Sequence, residues 1–115
     1  MQVSDPKVVL DIQQLKDITL EVDELMREVL SALIDGTSRQ LSLLDAAIRQ
    51  QDGKSCVRLA RYSKGACANV GANRAADRLK RLEEAAARNA FDDCTASLQF
   101  LVEEPERLRH QAAAL

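Results

Sequence analysis

Tryptophan is missing from this chain, histidine occurs once, and Tyr62, Phe91 and Phe100 are its only aromatic residues. Three rings are too few to build a platform on which successive bases stack, so nucleic acid is not an expected ligand. With His110 as the sole histidine, multi-histidine metal sites are excluded, and no carboxylate pair or Ser/His/Asp set gathers on one expected face. No metal and no cofactor are therefore expected. Two prolines and four glycines leave few breaks in the chain, whereas alanine, leucine, arginine and the acids are plentiful. That composition favours helix and starves a β-sheet of the residues it prefers.

Long hydrophobic runs are also lacking. No segment approaches the roughly 18 to 20 apolar residues needed to span a bilayer, and Asp5 and Asp11 follow too closely on Met1 for a charged-then-apolar signal peptide. A cytoplasmic location away from membranes is the expectation. Cys56, Cys67 and Cys94 are odd in number and without C-x-x-C or Cys/His spacing, so each is read as a small buried hydrophobe rather than a disulfide or zinc residue. At 115 residues the chain is one domain's worth, able to bury roughly two-thirds of its unfolded surface.

Charge is present but segregated. The formal net charge of −2 divides into −5 over residues 1–53, +7 over residues 54–81 and −4 over residues 82–115. Lys54, Arg58, Arg61, Lys64, Arg74, Arg78, Lys80 and Arg81 have only Asp77 as an acid within the central segment, which would steer an acidic partner toward it.

Hydrophobic periodicity places the elements. Residues 1–7 form a flexible lead-in to a single domain over residues 8–112, and residues 8–18 carry a short helix. Between residues 21 and 51, Val22, Leu25, Met26, Val29, Leu30, Leu33, Ile34, Leu41, Leu44, Ala47 and Ile48 recur at helical spacing, predicting one long helix that continues through Gly36. A turn at residues 51–53 precedes a helix over 54–70, which Gly71 stops. Asn73 can cap the next helix, over 74–88, whose apolar seam is Ala75, Leu79, Leu82 and Ala86. Lys80/Glu84, Asp77/Arg81 and Glu84/Arg88 would pair along its exposed side. Asn89 fits a left-handed cap, Asp92 or Asp93 can start the last helix, and Pro105 kinks or restarts it. Short loops force sequential helices antiparallel, so the fold class is all-α: an up-down-up-down four-helix bundle with a short N-terminal helix.

Steps of about 100° place Cys56, Leu59, Ala60, Ser63, Cys67 and Val70 on the core face of the 54–70 helix. Val57, Arg61, Lys64, Gly65 and Ala68 fall on the opposite face. Glycine costs a helix interior about 1 kcal/mol relative to alanine, and close approach of another molecule to the backbone at Gly65 would explain that cost.

The run Arg61-Tyr62-Ser63-Lys64-Gly65-Ala66-Cys67-Ala68-Asn69-Val70-Gly71-Ala72 resembles the signature of the histidine phosphotransfer (HPt) domain family, His-x-x-Lys-Gly followed by small residues and a further Gly. Lys64, Gly65, Asn69 and Gly71 fall into place, Arg61 stands where that family has its phosphorylated His, and Ser63 replaces an apolar residue. The resemblance extends from about Leu10 to Leu108. It implies a helix presenting the acceptor, Lys64 screening phosphoryl charge and Gly65 clearing space for a receiver domain. Guanidinium lacks the free lone pair of neutral imidazole, so the expectation is a degenerate, non-enzymatic member of a two-component phosphorelay. It would be a monomer binding a response-regulator receiver domain or a histidine kinase through Val57, Arg58, Arg61, Tyr62, Lys64, Gly65 and Ala68.

Two alternatives stand beside it: a purely structural or dimerisation bundle, and phosphotransfer through a non-standard acceptor such as Tyr62. The basic segment likewise has two readings. Arg58, Arg74, Arg78 and Arg81 either balance acids on neighbouring helices or ring the site that receives an acidic pocket.

Overall fold

The computed structural model describes residues 5–115. Six helices follow in order: α1 (Ile12–Ile18), α2 (Asp23–Arg49), α3 (Gly53–Val70), α4 (Asn73–Ala87), α5 (Phe91–Leu101) and α6 (Glu104–Ala113). Consecutive helices α2, α3, α4 and α5 pack on one another, and α5 and α6 close the ring against α2. This is the expected bundle, with the last element split in two. α5 ends at Leu101, and Pro105 sits in the first turn of α6, where its missing N–H costs nothing. Among the described residues no helix is long and apolar enough to cross a membrane.

The N-terminal approach is anchored to the α3–α4 turn. Asp11 caps α1 by accepting from the Gln14 N–H, its own N–H donates to the Gly71 carbonyl at 2.8 Å, and the Arg74 N–H donates to Val8 at 2.9 Å. Gly71 is required twice over, since its φ is +94° and a Cβ would lie 2.8 Å from the Asp11 carbonyl oxygen. Residues 1–4 of the expected lead-in lie outside the described residues; Asp5 accepts from the Val8 N–H in a turn.

α2 runs unbroken through Gly36, whose absent side chain leaves open surface rather than a tight contact. Met26, Leu30, Leu33, Ile34, Leu41, Leu44, Ala47 and Ile48 are buried as the periodicity predicts. Val22 and Leu25 are not: they stand 50% and 38% exposed where the helix begins, beside an exposed Leu20. In α3, Cys56, Ala60, Ser63 and Cys67 are buried, whereas Leu59 and Val70 reach only the edge of the core. Gly53 lets α3 start against the end of α4, because a Cβ there would meet Asn89 Oδ1 at 2.6 Å.

Several end assignments differ from expectation. Asn73 is the first residue of α4 rather than its cap, buried with no partner for Nδ2 among the described residues; Ala72 takes the cap position with no side-chain bond. Asp92 and Asp93 fall inside the first turn of α5, where they complement its dipole, and Ala90 precedes it. Along α4 the Asp77–Arg81 pair forms at 3.3 Å, whereas Arg88 turns to Asp93 at 3.7 Å instead of Glu84. The three cysteines are free and buried, and burial pushes the Cys56 and Cys67 thiols up to about 11. They are inert packing residues at neutral pH.

Candidate functional site

α3 presents Arg61 with two-thirds of its side chain in solvent and buries Ser63 beneath it. The guanidinium is held. Nε and Nη2 of Arg61 donate to Oε2 of Glu83 at 3.2 and 3.1 Å, and Nζ of Lys64 donates to Oε1 of the same carboxylate at 2.9 Å. Glu83 lies on α4, only 16% exposed, so one partly covered carboxylate gathers two cations from the facing helix. The Lys64 hydrogen bond, with a further one from Arg61, holds the Glu83 carboxyl below its ordinary range against the opposing effect of burial. Bridges this open to water add at most about 1 kcal/mol to the fold; their effect is to orient the cations.

Glu83 escaped the sequence reading. It lies just past the basic segment, and its approach to Arg61 and Lys64 depends on how α4 packs against α3, which no local spacing encodes. Its place as the first acid after the basic run was the one available signal.

The predicted site residues divide between two depressions. Val57, Arg58, Arg61 and Tyr62 join Lys54, Gly53, Ala86, Ala87 and Asn89 around a groove of about 700 Å³ between α3 and α4. Lys64 and Ala68 line a smaller one, about 280 Å³, with Pro6, Asn73, Ala76, Asp77 and Lys80. Ala68 is at the margin, its carbonyl accepting a hydrogen bond from the Gln14 amide of α1. Gly65 lines neither depression, and among the described residues a Cβ added there would have nothing within 4 Å. The fold does not need glycine at this position, so its helix cost has no internal compensation. Tyr62 is 68% exposed, and among the described residues no base hydrogen-bonds its phenol. Ser63, in place of an apolar residue, has a buried hydroxyl without a partner among the described residues. His110 is exposed in the last turn of α6, a helix that packs on α2 rather than α3.

The bundle, the exposed middle of α3 and the Lys64-Gly65 pair together have the form of a phosphotransfer module, and the profile of the Hpt domain matches residues 28–115. The chain belongs to the Hpt domain family. An Hpt domain is a phosphoryl carrier that works between response regulators and kinases in phosphorelays, which makes this a phosphorelay protein of Hpt type. Its fold is similar to that of histidine-containing phosphotransfer protein B (HptB) from Pseudomonas aeruginosa PAO1, with a TM-score of 0.85 at 23% identity over 94% of each chain. No functionally curated protein matches this Hpt domain in sequence.

Proposed function

We propose that this Hpt domain does not carry phosphate: it is a cytoplasmic monomer that docks on a receiver domain or a histidine kinase and accepts no phosphoryl group. One observation carries the proposal. In the middle of the presented helix, three residues before Lys64-Gly65, stands an arginine already donating two hydrogen bonds to Glu83. Guanidinium keeps its proton at any physiological pH and has no lone pair for a phosphoryl group. What remains suits binding: a groove with Lys54, Arg58 and Arg61 on one side, a small apolar floor at Ala86 and Ala87, and an open backbone at Gly65. Cations so placed attract a carboxylate-lined pocket, raising association rate and selectivity more than affinity.

Calorimetric titration of the full chain against the receivers and kinases of its own cell tests this. A complex that weakens as salt rises is expected; no binding to any of them at low salt would refute the proposal. The structural-bundle alternative predicts instead that reversing Arg61 and Lys64 leaves every interaction unchanged.

A further inference from the structure

The arginine fork at position 61 is only half used. Guanidinium has five N–H donors arranged along two edges, each able to hold an oxyanion through a pair of hydrogen bonds. Glu83 occupies the Nε/Nη2 edge, and among the described residues Nη1 has no acceptor. The carboxylate is 16% exposed and the arginine 67%, so Arg61 keeps open surface beyond the edge that Glu83 holds. Glu83 therefore fixes one edge of the fork.

Charge around that edge is unbalanced. Arg61, Lys64 and Glu83 sum to +1, and Arg58 and Lys54 line the adjoining groove with no salt bridge among the described residues; Asp52 lies within their electrostatic reach, which leaves the six groups at +2. These three groove cations lie four and three residues apart along α3, close enough to repel one another on the helix. A phosphoryl group brings a charge of about −1.5 to −2 and three acceptor oxygens, against about −1 and two oxygens for a carboxylate. It matches both the half-used fork and the surplus positive charge better than a carboxylate does.

We infer that the free edge of Arg61, backed by Lys64 and Arg58, is a receptor for a phosphoryl oxyanion, and that it reads the phosphorylated state of the aspartate on the docked receiver. No bond to phosphorus forms or breaks; the acyl phosphate stays on the partner. The bearer of the phosphate rests on the docking function proposed above, whereas the anion receptor itself does not.

Two measurements separate those claims. Inorganic phosphate is titrated into the isotope-labelled full chain at constant ionic strength, with chloride as control, and the backbone amides of Arg61, Tyr62 and Gly65 are followed by NMR. Saturable shifts in the millimolar range, absent with chloride and absent in Arg61→Gln, are expected; shifts that do not saturate, or that persist in Arg61→Gln, overturn the inference. A receiver is then titrated with and without beryllium fluoride, which mimics the aspartyl phosphate. At least about tenfold tighter binding of the treated receiver is expected, with the difference lost in Arg61→Gln. Equal affinity for both forms overturns the inference and leaves docking intact. Failure of both forms of every receiver to bind overturns receiver docking, and the phosphate titration then decides the anion receptor by itself.

Discussion

Two glutamates meet two arginines in this bundle, with opposite consequences. Glu104, at the start of α6, is fully buried and lies 2.9 Å from Nε of Arg74, yet neither of its oxygens receives a well-aligned hydrogen bond among the described residues. Burial raises its carboxyl above the ordinary range despite the nearby Arg74 and Arg107 charges. Glu83 has two cations in hydrogen-bond contact, and its carboxyl is lowered. Arg74 and Arg78 are further committed to the Phe100 ring, with guanidinium carbons 4.6 and 4.1 Å from its centroid, and Arg81 pairs along its own helix. The basic segment thus does two jobs. Its later arginines bind α4 to the α5–α6 end of the bundle, and Lys54, Arg58, Arg61 and Lys64 are left at the surface of α3.

That division can be broken in either half. Replacing Arg74 with methionine removes the cation in contact with the buried Glu104 and leaves only the more distant Arg107 charge, so a loss of about 3 to 5 kcal/mol in urea unfolding is expected, partly recovered by adding Glu104→Gln. Arg61→Ala in the same assay changes stability by no more than about 1 kcal/mol. Affinity for the partner runs the other way: reversing both Arg61 and Lys64 to glutamate weakens calorimetric binding by about thirtyfold, or about 2 kcal/mol, with the fold retained by circular dichroism.

Gly65→Ala sharpens the contrast at a single residue. It meets nothing within 4 Å and so should stabilise the helix by up to about 1 kcal/mol while weakening receiver binding, a pair of changes that unfolding and calorimetry resolve together. The smallest effect is in pH. Glu83, lowered from 4.5, contributes stability present above that value and lost as pH falls through its folded pKa. Glu104, raised from 4.5, has the opposite sign: the fold is favoured with it protonated, and that advantage disappears as pH rises from 4.5 through its folded pKa. Urea midpoints from acid to neutral pH should show a shallower acid-side decline in Glu83→Gln, Asp52 keeping its share, and a shallower decline on raising pH in Glu104→Gln.

What the sequence disclosed follows from the range of the interactions. The long α2, the faces of α3 and the seam of α4 were legible because burial repeats every three to four residues along one helix. Gly71 was legible as a stop because a left-handed residue leaves a local mark. Glu83 and Glu104 were not, since each meets its arginine only after α3–α4 and α4–α6 come together, and a glutamate reads the same beside solvent or beside a cation. Asn73 misled for a related reason: a good capping residue is buried inside the first turn of the helix, beside Arg74, whose N–H donates to the Val8 carbonyl. Val22 and Leu25 fit the apolar period of α2, but the start of that helix remains partly uncovered.

The most direct test of a docking module without an acceptor is a single mixing experiment. A receiver carrying radiolabelled phosphate is incubated with the full chain, and the complex and the position of the label are followed together, with Arg61→His alongside. The expected result is a complex in which all label stays on the receiver, with label moving onto Arg61→His alone. Acid-labile or base-labile phosphate on the natural chain, or no complex with any receiver or kinase, would contradict it.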